Sequence, residues 1–101
     1  MADINQQLDE IRGQIDQALS AVEGDGAASP VLTAVVREFS AKASKAAHIA
    51  QKGSGRDAVI ELEQAGDSAK AAAEADTGAG EASRKAVLDA HLAICQLKAS
   101  L

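Results

Sequence analysis

Residues 29 to 53 read SPVLTAVVREFSAKASKAAHIAQKG, and the two ends of this stretch decide how the whole chain is organised. Ser29 offers a hydroxyl to the free N–H groups of a helix start, and Pro30 suits the first helical position, where its missing N–H has no partner to lose. Leu32, Val36, Phe39, Ala43, Ala46 and Ala50 then alternate at spacings of four and three, the narrow apolar seam of a packed helix. Gly53 stands where a helix end favours a residue that can adopt positive φ. The stretch predicts a helix bounded on both sides.

Working outward, glycine clusters at Gly24 to Gly26, Gly53 to Gly55 and Gly78 to Gly80 divide the chain into four segments of similar length. In the first, Asp3 and Gln6 form a capping pair ahead of a seam of Ile4, Leu8, Ile11, Ile15, Ala18 and Val22. Ser54 with Asp57 is the expected cap of the third. Its stripe of Val59, Leu62, Gly66, Ala69 and Ala73 loses large side chains halfway along, and Gly66-Asp67-Ser68 is a candidate break.

The fourth segment carries two stripes side by side, Val87, Ala90, Ile94, Leu97 and Leu101 beside Leu88, Leu92, Cys95 and Ala99. Together they span an apolar arc of roughly 220° at about 100° per residue, wider than one neighbouring helix requires. This helix is expected to be the most buried of the set, with any uncovered remainder forming a dimer interface. The expected fold is all-α, an antiparallel up-down four-helix bundle with helices over about 3–23, 29–52, 56–76 and 80–100, completed by dimerisation. Residues 1–101 form a single domain on this reading.

Composition sets limits on function. Alanine supplies 24 of the 47 hydrophobic residues, and Ile, Leu, Val and Phe together number 21 of 101, only just above the level of about 20% at which chains tend toward disorder. A core this thin requires close packing through alanine or burial by self-association. The net charge of −5, with no Trp or Tyr and one Phe, argues against a nucleic-acid partner, which needs a basic footprint and stacking platforms. No apolar run approaches the length of about 18 residues that spans a membrane. The acidic, polar opening MADINQQLDE is unlike a signal peptide, and a single cysteine cannot form an intrachain disulfide, so a cytoplasmic protein is expected.

Within the second helix, His48 lies roughly 160° around the wheel from the seam, with Arg37, Ser44, Lys45 and Lys52 on the same side. Arg37, Lys45, His48 and Lys52 are therefore expected to form an exposed basic patch. The segment AHIAQKGSG resembles the motif of histidine phosphotransfer domains, four-helix bundles in which an exposed histidine carries a phosphoryl group between response-regulator aspartates. The resemblance implies His48 as phosphoryl carrier, Lys52 as its electrostatic helper and Gly53 as the glycine that admits the partner. In that family the lysine and glycine fall three and four residues after the histidine, whereas in this chain they fall four and five after it. The same residues also serve as an ordinary helix C-terminus, where basic side chains offset the dipole and glycine follows.

His91 lies between the two stripes of the fourth helix, one turn before Cys95. An imidazole and a thiol at that spacing supply two ligands, and no Cys pair or Glu-x-x-His motif adds to them, so no metal and no cofactor is expected. Leu88, His91, Leu92 and Cys95 are expected to form a self-association surface. The function expected is non-catalytic: structural or regulatory contact with a protein partner, in a homo-oligomer. The alternative is a phosphorelay role for His48.

Overall fold

The computed structural model describes residues 4–101 and is a four-helix bundle of α1 (Ile4–Glu23), α2 (Pro30–Gln51), α3 (Gly55–Ala75) and α4 (Glu81–Ala99). Each helix packs against its neighbours in the chain, and α1 closes the ring against α4, within dimensions of 40 × 20 × 18 Å. Among the described residues there is no strand, and no helix is long and apolar enough to cross a membrane. The expected cap at Asp3 lies outside the described residues.

The four seams supply one shared core. Leu8, Ile11, Ile15, Ala18 and Val22 of α1 meet Leu32, Val36, Phe39 and the alanines of α2, with Val59, Leu62, Ala69 and Ala73 of α3 and Val87, Ala90, Ile94 and Leu97 of α4. The alanine-rich composition works because size is complementary between α2 and α3. A Cβ placed on Gly66 would stand 3.2 Å from Phe39 Cζ, so the largest core side chain sits on the smallest residue. Carried along an antiparallel pair from that one contact, the register sets Leu32 and Val36 level with Ala73 and Ala69, and Ala43 and Ala46 level with Leu62 and Val59, so that the large positions of one seam fall at the small positions of the other.

Helix ends follow local chemistry. Ser29 caps α2, its Oγ accepting the Leu32 N–H at 3.1 Å. At the other end Gly53, with φ of 93°, lets its own N–H reach the Ala50 carbonyl at 3.1 Å and the Ser54 N–H reach that of Ile49 at 3.4 Å. This paired closure satisfies two end carbonyls, and only a residue without a Cβ adopts that φ freely.

Helix α3 runs unbroken through Gly66-Asp67-Ser68, in keeping with the expected helix over about 56–76, because Gly66 is a close-packing position within the helix. Two expectations require correction. Ser54 occupies the N-cap position of α3 but makes no side-chain capping bond. And α4 is not the most buried helix: its second stripe leaves Leu92 and Ala99 exposed and Leu88 and Cys95 half-buried, because the four seams already close the core.

The loops preceding α2 and α4 meet at one end of the bundle. Asp25 accepts hydrogen bonds from the Gly80 N–H and the Ser83 hydroxyl at 2.7 and 2.9 Å, and Asp76 accepts one from the Ser29 N–H at 2.7 Å.

Candidate functional site

The close approach at Gly66 shapes the groove between α3 and α4, where an added Cβ would also stand 3.3 Å from His91 Cδ2 and from Ile94 Cγ2. Asp67 follows at the groove's solvent edge, and its Oδ1 accepts a hydrogen bond from His91 Nε2 at 2.8 Å. One turn further along α4, Cys95 Sγ stands 3.4 Å from the same nitrogen and 3.9 Å from Nδ1. A carboxylate, an imidazole and a thiol therefore converge, with one ligand atom from each lying within 4.8 Å of the others. The His91 side chain is 13% exposed and that of Asp67 57%, so the cluster is backed by protein and open to solvent on the Asp67 side. Beyond it, Lys98 Nζ meets Glu63 Oε2 at 3.3 Å, continuing the polar row along the groove.

Burial pushes the Cys95 thiol above its ordinary value of 9.0, and the charges of Glu63 and Asp67 act in the same direction. At neutral pH the sulfur is therefore protonated, whereas nucleophilic catalysis needs the thiolate. Nor does the ring connect Cys95 to Asp67 as a proton relay. Both approach Nε2 most closely, and a relay places nucleophile and carboxylate on opposite ring nitrogens.

Of the four residues expected at a self-association surface, Leu88 and Leu92 belong to the outer side of α4, with Leu92 54% exposed. His91 turns toward α3, and Cys95 sits half-buried between the two settings. Among the described residues the other strongly exposed large apolar side chains are Val31, near the start of α2, and Leu101, beyond the end of α4. An open groove of about 320 Å³ between α1 and α4 is lined by Gln7, Gln14, Gln96 and Ser100 together with Ile11, Ala93 and Leu97, with Glu10 as its one ionisable side chain.

Lys45, His48 and Lys52 are all exposed around the last turns of α2. Arg37 is exposed too but stands about 16 Å along the axis from His48 at the helical rise. Its guanidinium binds Glu23 Oε2 at 3.0 Å, which offsets its charge. The structure therefore groups three of the four expected patch residues and leaves Arg37 apart.

Asp67 is the site residue that sequence reasoning missed. An up-down hairpin brings positions equally far from its turn face to face, and Asp67 and His91 lie eight and ten residues from the facing ends of α3 and α4. That symmetry was the available signal. No protein-family model, no curated protein and no solved structure matches this chain.

Proposed function

We propose that the chain is a non-catalytic, cytoplasmic helical protein that acts through protein contact and self-associates across the outer face of α4. The observation that carries this reading is Leu92, 54% exposed in mid-helix while the seam of the same helix is fully buried. Leu88 and Cys95 flank it, with His91 on the α3 side. The rim favours a second copy over a partner of one charge sign. Lys85 pairs with Asp89 at 2.7 Å and Lys98 with Glu63 at 3.3 Å, so the surroundings of Leu92 are locally neutral although the chain is acidic. An apolar centre within such pairs is compatible with its own two-fold image.

Light scattering tests the reading. The unmodified protein is expected to be dimeric at high micromolar concentration, and Leu92→Glu monomeric with unchanged helicity, since Leu92 contributes little to the core. A monomeric unmodified protein would overturn it.

A second reading, phosphoryl carriage by His48, draws on the exposure of that ring between Lys45 and Lys52 on a four-helix bundle. Against it, α2 ends three residues after His48. A phosphoryl group there would meet the negative end of the helix dipole, which disfavours anions.

A further inference from the structure

We propose that Asp67, His91 and Cys95 form a binding site for a borderline divalent cation of the zinc type, joining α3 to α4. The site borders the proposed self-association face through His91 and Cys95, but its three ligands come from one chain and its test reads metal binding, not oligomeric state.

The donor set selects the ion. Thiolate and imidazole suit zinc and its neighbours among the transition metals, whereas magnesium and calcium prefer oxygen ligands throughout. The spacing of the ligand atoms suits such an ion, while their orientation has to change on binding. With Zn–N and Zn–S bonds of about 2.0 and 2.3 Å, the 3.4 Å between His91 Nε2 and Cys95 Sγ subtends about 100° at the ion. But Sγ is also 3.9 Å from Nδ1 and so lies beside the ring, and the His91 ring has to turn to aim its Nε2 lone pair at an ion shared with Cys95. Asp67 Oδ1, at 2.8 Å from the same nitrogen and within 4.8 Å of the sulfur, has to move about 0.5 Å away from Nε2 to reach a tetrahedral N–O spacing. Its side chain is 57% exposed and free to do so.

The backbone around the site supports the arrangement. His91 and Cys95 share one face of α4 through their i, i+4 spacing, and Gly66 allows α3 close enough for the adjacent Asp67 to reach His91. On binding, the Nε2 proton that His91 donates to Asp67 passes to solvent while Nδ1 takes one up, and the ion takes the freed Nε2 lone pair of the still neutral ring. The Cys95 S–H bond breaks, its proton passes to solvent, and the sulfur lone pair forms the metal–thiolate bond. Three protein ligands leave a fourth position toward solvent, the composition of an open site.

Cobalt(II) alone, added to the reduced protein, reads the site directly. The expected result is a sulfur-to-cobalt charge-transfer band saturating at one ion per chain and bleached by zinc. Cys95→Ser should abolish the band, and Asp67→Asn and His91→Gln should each weaken binding by more than about tenfold. Zinc at 100 times its dissociation constant should raise the folded-to-unfolded ratio about 100-fold. Asp67 is exposed, so Asp67→Asn keeps the fold and serves as the control for general unfolding. Absence of the charge-transfer band, or binding unchanged in Asp67→Asn and His91→Gln, would overturn the assignment.

Discussion

Asp25 and Asp76 each hold the start of the helix that follows the other's loop. Asp25, ahead of α2, accepts the Gly80 N–H at the start of α4, and Asp76, ahead of α4, accepts the Ser29 N–H at the start of α2, both at 2.7 Å. Each carboxylate also orders its own loop, Asp25 through the Ala27 N–H at 2.9 Å and Asp76 through those of Gly78 and Ala79 at 3.2 Å. Negative charge at a helix N-terminus meets the positive end of the dipole and satisfies otherwise free N–H groups. The exchange therefore couples two loops that are far apart in sequence.

The coupling has an acid signature. The Gly80 N–H, with those of Ala27 and the Ser83 hydroxyl, holds the Asp25 carboxyl below its ordinary value of 3.8, and the Ser29 N–H does the same for Asp76. Both groups bind protons less readily in the folded chain than in the unfolded one. Their contribution to stability is complete above the unfolded value and is lost as pH falls through the depressed folded values. Thermal unfolding followed by circular dichroism should show Asp25→Asn/Asp76→Asn with a lower midpoint at neutral pH and a flatter decline below about pH 4 than the unmodified protein. Identical acid profiles for the two proteins would remove the clamp from the account.

Ser29 joins the same corner from the other side, since it donates its N–H to Asp76 while its Oγ accepts from Leu32. Ser29→Ala keeps the first bond and loses the second. The expected cost is about 1 kcal/mol, read as a fall of about 4–8 °C in the melting midpoint for a domain of this size. Ser29→Asn, which retains a capping oxygen without setting a second carboxylate beside Asp76, should recover most of the loss.

Gly66→Ala sets two effects against each other. Alanine gains about 1 kcal/mol over glycine in helix propensity, but its Cβ would stand 3.2 Å from Phe39 Cζ and 3.3 Å from Ile94 Cγ2, tighter than a relaxed contact. Phe39 and Ile94 are fully buried and have little room to yield, so crowding costing about 1–3 kcal/mol decides the sign. The expected outcome is a net loss of about 1 kcal/mol in urea unfolding. A gain in stability would mean that the α2 and α3 contact is looser than Phe39 against Gly66 indicates.

Gly66 also marks how far the sequence could be read. The seams were legible because a four-and-three spacing has one meaning in a helix, and Ser29, Pro30 and Gly53 mark the ends of α2 by local chemistry alone. Gly66 is locally ambiguous: a glycine beside Asp and Ser fits a break as well as a close contact, and only Phe39, 27 positions earlier, settles which. The candidate metal cluster is half legible for the same reason. His91 and Cys95 are brought together by helical period, while Asp67 arrives through the register of one helix on another. The second stripe of α4 was visible, but whether the bundle would cover it depends on the combined bulk of three other helices.

His48 separates the two functional readings most sharply. It is exposed, Lys45 and Lys52 are exposed beside it, and the helix stops at Gln51 with Gly53 turning the chain away at φ of 93°. Transfer to His48 would form a phosphorus–nitrogen bond to the ring as the acyl phosphate of a receiver aspartate breaks, leaving an anion beside carbonyl groups at the helix end. That placement disfavours the product, and two flanking lysines at exposed positions are screened by salt. Incubation with a phosphorylated receiver domain is therefore expected to leave the chain unlabelled, with His48→Ala indistinguishable from the unmodified protein. Acid-labile phosphate that appears on the unmodified protein and disappears in His48→Ala would reverse the order of the two readings. In that case Lys52→Ala should lower the extent of labelling, because its charge would then offset that of the phosphoryl group.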